Sequence, residues 1–148
     1  MIDHSEHAVL NHLIETCRDG ERGFRLAAEK VTDPGLKELF TALSVQRSTF
    51  ASELVPHAQR LGGDPAGDGS AIGSLHRGLM ALEQALRPDD HLIVNEVDRG
   101  DRATLRIYFD AINGMLAPDT RDLVQRQLDE LEETHARIPL RDATAVPR

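Results

Sequence analysis

Between residues 10 and 31 the apolar residues recur at helical spacing, and a carboxylate interrupts them. Leu10, Leu13, Ile14, Cys17, Phe24, Ala28 and Val31 share one face at a period of about 3.6 residues. Glu21 falls on that face between Cys17 and Phe24. A carboxylate turned toward a core is costly unless it is paired, hydrogen-bonded or bound to a metal. The stripe therefore predicts a helix over residues 5–31 and a buried Glu21 with a metal ion, Arg47 or His135 as its partner.

Thr32-Asp33-Pro34-Gly35 reads as a turn and a new helix start, with proline at the first helical position. The helix it opens runs to about residue 61 on a stripe of Leu36, Phe40, Leu43, Phe50, Leu54 and Leu61. Gln46, Arg47 and Glu53 lie on or beside that stripe, and Pro56 lies inside the helix. A Gly/Pro/Asp loop follows, and residues 70–87 carry Ile72, Leu75, Leu79, Leu82 and Leu86 at the spacing of a shorter amphipathic helix. Residues 89–113 and 119–138 form two more helices, the first striped by Val94, Val97, Leu105, Tyr108 and Ile112, the second by Val124, Leu128, Leu131 and Ile138. Asp101 and His135 fall on these stripes.

Short turns join the first pair of long helices and the last pair, so each pair is an antiparallel hairpin. The 27 residues 62–88 between the hairpins are enough to run the length of a bundle. The pattern predicts an all-α, ferritin-like four-helix bundle with an additional crossover helix between the two hairpins, spanning residues 1–141, and a disordered tail over 142–148.

Composition narrows the function. With 25 acidic and 17 basic residues the net charge is -8. That argues against the basic surface a nucleic-acid protein needs and disfavours an anionic membrane surface. One cysteine cannot form an internal disulfide, the first residues lack the pattern of a signal peptide, and no apolar run reaches the length of a membrane span. The expectation is a cytoplasmic protein. Leu75, Leu79, Leu82 and Leu86 exceed what one bundle groove needs, which points to a homodimer.

Counting levels suggests a site. Glu21 is 12 residues before Asp33, Gln46 is 12 after Pro34, Asp101 is 12 after Asp89, and Glu132 is 14 after Pro118. At about 1.5 Å per residue these four lie near one height. Glu132 and His135, at i and i+3, can face one point. A ferritin-like di-metal centre takes a Glu from each of two helices and Glu-x-x-His from the other two. Glu21, Asp101, Glu132 and His135 fit that plan as ligands of iron or manganese. Gln46 and Thr49 stand where Glu and His are wanted, so the site is degenerate. The competing reading is a metal-free polar layer of Glu21, Arg47, Asp101 and His135.

The same residues carry a resemblance. Leu10-Asn-x-Leu-Ile-Glu-x-x-x-Asp19-Gly20-Glu21-x-Gly23-Phe24, Leu36-Lys-x-Leu-Phe40, Glu53-Leu54, Leu61-Gly-Gly-Asp-Pro65 and Leu75-His-Arg-Gly78 are all involved. So are Arg99-Gly100, Tyr108 and Gln125-Arg-Gln127 with His135. Together they resemble a bacterial ferritin-like four-helix-bundle family of unknown function (DUF2383-type) over residues 8–141. The family looks like Glu-Arg-Gly-Glu-Asp where this chain has Asp98-Arg99-Gly100-Asp101-Arg102, and it often shows Glu at the place of Gln46. The resemblance implies the fold and no established activity. Two functions follow as expectations: a stress-associated bundle with weak iron or manganese chemistry, or a non-enzymatic interaction or scaffold protein.

Overall fold

The computed structural model describes residues 5–62 and 89–139. They form four helices: α1 (Glu6–Lys30), α2 (Pro34–Arg60), α3 (Asp90–Ile112) and α4 (Pro118–His135). Among the described residues there is no strand. Each start follows from local chemistry. Ser5 caps α1 by accepting from Ala8 N, Asp33 caps α2 by accepting from Leu36 N, and Asp89 caps α3 by accepting from Leu92 N. Pro34 and Pro118 sit in the first turns of α2 and α4, where the missing N–H costs no helical bond. α2 runs as one helix through Pro56.

Side chains at the helix ends set the directions. The Asp90 carboxylate, at the start of α3, accepts from Thr32 N (2.8 Å), Thr32 Oγ1 (2.9 Å) and Asp33 N (2.9 Å) in the α1–α2 turn. At the opposite end Arg60 of α2 donates to Asp119 of α4 (2.7 Å), and Ala117 N donates to Glu6 of α1 (2.8 Å). So α1 and α4 run one way, and α2 and α3 run the other. α1 packs beside α2 and α3, and α4 packs beside α3 and α2, which puts α2 and α3 on a diagonal. The crossover helix expected over residues 70–87 lies outside the described residues.

The Asp90 contacts give a pH dependence. The Thr32 backbone N–H is the main reason its carboxyl is held below the ordinary 3.8, ahead of the Asp33 N–H and the Thr32 hydroxyl. A depressed folded-state value means the stabilisation is complete above the unfolded value of about 3.8, and fades as pH falls through the lower folded value. Asp90→Asn should therefore flatten the loss of stability below pH 3.8. Denaturant midpoints measured from pH 5 down to pH 2 check this, and curves that run parallel for the two proteins would refute it.

The core is in two parts. The lower cluster is built around Leu10, Leu13, Ile14, Phe50, Leu54, Tyr108 and Leu131. The upper one is built around Phe24, Phe40, Leu43, Ile93, Val94 and Ile138. Between them α1 presents Gly20, and polar side chains of the other three helices fill the level.

Candidate functional site

Arg47 is the largest side chain fully removed from solvent among the described residues. It enters the bundle opposite Gly20, where a Cβ would stand 3.0 Å from Arg47 Nη1 and 3.3 Å from its Cγ. Any residue larger than glycine would push on the arginine stem, so Gly20 makes the room that α2 fills. The guanidinium crosses the diagonal. Nη2 donates to Asp101 Oδ1 on α3 in a tight, fully buried ion pair, and Nε donates to Gln46 Oε1 (3.3 Å). Its Cζ lies 5.0 Å from the Phe24 ring centroid, close enough for the ring face to attract the cation. Nη1 makes no hydrogen bond among the described residues.

The second oxygen of Asp101 meets α4, where His135 Nδ1 lies 2.7 Å from Asp101 Oδ2. The other ring nitrogen, Nε2, is 3.4 Å from Asp98 Oδ1. Asp98 is in turn bonded by Arg102 Nε (2.8 Å) from the surface. The layer thus runs Arg47, Asp101, His135, Asp98, Arg102, from a fully buried cation to an exposed one. Gln46 completes it by bonding to Thr134 on α4 (3.4 Å).

About two turns below runs a second polar chain. Gln127 Nε2 donates to the Phe50 carbonyl (3.3 Å) and to Glu53 Oε1 (3.1 Å), which fixes the amide so that Oε1 faces Tyr108. Tyr108 O–H donates to that oxygen (2.7 Å), which leaves the Cys17 thiol as donor to the tyrosine oxygen (3.1 Å). Burial pushes the thiol up to about 11 and the phenol well above its usual 10, so both stay protonated donors at neutral pH. Glu53 ends the chain at the surface, paired with Arg126 (2.6 Å).

The sequence-predicted ligands separate. Asp101 and His135 come together. Glu21 does not join them: its side chain is 29% exposed, 3.7 Å from Arg25, in the outer groove of α1 and α2 beside Ser44 and Lys37. Glu132 is exposed on the outer face of α4. The expectation of a buried Glu21 partnered by a metal, Arg47 or His135 is corrected by the helix geometry. Leu10, Cys17, Phe24 and Val31 repeat every seven residues, and Leu13, Gly20 and Ala27 repeat with them three residues on. In a supercoiled bundle those two sets face the seam, and Glu21 flanks it. Asp98 was the residue missed; its place three residues before Asp101, on the same helix face, is the signal that could have found it. Glu21→Gln should accordingly change unfolding free energy by no more than about 0.5 kcal/mol, as for an exposed pair. Chemical denaturation tests this, and a loss of several times that size would return Glu21 to the core.

A metal does not fit the donors as placed. Asp101 spends one oxygen on Arg47 and the other on His135, and both imidazole nitrogens face carboxylates. Among the described residues no three His, Cys, Asp or Glu side chains are grouped so as to hold a metal ion. None of the described helices is long and apolar enough to cross a membrane.

Fold and site define an all-α four-helix-bundle protein with a buried ion-pair layer. The chain belongs to the family described as a domain of unknown function, DUF2383, whose model matches residues 5–114. The match covers α1 to α3 and stops short of α4, the helix that contributes His135 and Gln127. No curated protein matches the chain.

Proposed function

We propose that this chain is a non-enzymatic interaction or scaffold protein whose central layer is held by Arg47 in place of a metal ion. The observation that supports it is the Arg47 guanidinium, buried between the two apolar clusters and bonded to Asp101. A fixed internal cation neutralises the carboxylate that a metal would need. A polar layer between apolar ones also penalises any register in which the charges fail to meet, a use of buried polar groups known from coiled coils. The net charge of -8 turns away nucleic acid and anionic membranes and leaves proteins as partners, a second copy of this chain among them. A single protonated, buried thiol suits the cytoplasm.

The competing reading, iron or manganese held by Glu21, Asp101, Glu132 and His135, requires convergence of side chains that lie in three different surroundings. Metal analysis of protein purified without chelators separates the two. The expected result is iron and manganese far below one ion per chain. Near-stoichiometric metal, lost in Asp101→Asn, would overturn the proposal.

A further inference from the structure

Near the end of α3 the groove between α1 and α3 is open and largely apolar. Val9 and Leu13 of α1 and Ile107 and Ala111 of α3 line it, and Met115, just beyond α3, forms its rim. It holds about 400 Å³. Met115 is 87% exposed, although its side chain is large and apolar. Asp110 is the carboxylate on the α3 wall. One turn back on the outer face of α3 stands Arg106. Both charged residues are exposed, and neither makes an ion pair among the described residues. They are spaced i and i+4 with the cation first, the weaker order for a pair within one helix.

We propose that this face binds a second copy of the chain across a two-fold axis, with Arg106 of each copy lying in the groove of the other and its guanidinium on Asp110 there. On the reading of this chain as an interaction protein, that makes the chain its own partner. Charge complementarity selects this occupant. Two α3 helices packed antiparallel about an axis at the level of residue 108 bring residue 106 of one opposite residue 110 of the other. At about 1.5 Å per residue both positions lie about 3 Å along the helix from the axis, so the two pairs form together. A partner for this face must bring a cation to Asp110 and a carboxylate to Arg106 at that spacing, and a second α3 brings both. The arginine stem is apolar and can cover Val9, Ile107 and Met115 while its charged head stays at the acidic wall. Two copies at a net charge of -8 each repel at long range, and the two close pairs supply the local attraction that sets the register.

Sedimentation equilibrium of the full chain tests this. The unmodified protein should show twice the mass of one chain at high micromolar concentration. Arg106→Glu and Asp110→Arg each set like charges against one another in both pairs, so each variant alone should sediment as a monomer. Mixed in equal amounts, the two variants should recover the doubled mass, since each then supplies the charge the other lacks. Both positions are exposed, so the helical circular dichroism of each variant should match that of the unmodified chain. A monomer in the unmodified protein would overturn the proposal. So would a dimer that both substitutions leave intact, or a mixture of the two variants that stays monomeric. None of these results bears on the layer held by Arg47, which metal analysis tests separately.

Discussion

Arg47→Ala should lower the free energy of unfolding by about 3–5 kcal/mol, the cost of leaving one member of a buried pair without the other. Asp101, with its side chain 1% exposed, would keep only His135 as a partner, in a site closed to water. For a domain with a typical stability of about 5–15 kcal/mol this is a large share of the total. The pair as a unit contributes much less than this, because both charges are taken out of water. Arg47→Met combined with Asp101→Leu should therefore recover most of the loss. His135 keeps Asp98 and some solvent in that variant, and methionine is flexible enough to fill the space opposite Gly20. Urea titrations of the single and double variants decide the matter. A double variant no better than Arg47→Ala would show that the layer adds to stability as a whole, contrary to its reading as a device for register.

Tyr108→Phe should cost about 1–3 kcal/mol, although the ring and its packing are kept. The hydroxyl donates to Gln127 and accepts from Cys17, and all three side chains are fully buried. Phenylalanine leaves the Gln127 oxygen without its donor and the thiol without its acceptor, where no water can replace either. Cys17→Ala should be milder, since Tyr108 keeps its bond to Gln127 and only a small cavity is added. Thermal and denaturant unfolding of the two variants test the order. Equal costs would mean that the chain from Cys17 to Glu53 is not held together through Tyr108.

Much of this could be read from the residues. The stripes on Leu10 to Val31, Phe40 to Leu54, Val94 to Tyr108 and Val124 to Leu131 mark the four helices, and Asp33-Pro34 marks the second start, because amphipathic period and capping are local properties. Asp101 and His135 were legible as a pair because both interrupt apolar stripes at one height. Glu21 was misread because a carboxylate at the edge of a seam and one at its centre differ by a single residue. A straight 3.6-residue reading does not carry the drift of a supercoil. The decisive residue at that level is Gly20, which has no side chain to announce itself. Its meaning appears only when α2 supplies Arg47, which sits in the seven-residue series Phe40, Arg47, Leu54 of its own stripe. Gln127 was hidden for a similar reason. It reads as a surface amide within Gln125-Arg126-Gln127, and only packing against Tyr108 and Glu53 shows that it faces inward.

The buried guanidinium can be observed directly, through hydrogen exchange of arginine side-chain Nε–H groups in nitrogen-15 spectra. Arg47 should give an Nε–H resonance that exchanges far more slowly than those of exposed arginines such as Arg22 and Arg60, and its protection should fall sharply in Asp101→Asn. An Arg47 Nε–H that exchanges as fast as the exposed ones, or whose protection is unchanged in Asp101→Asn, would contradict the placement of this cation at the centre of the bundle.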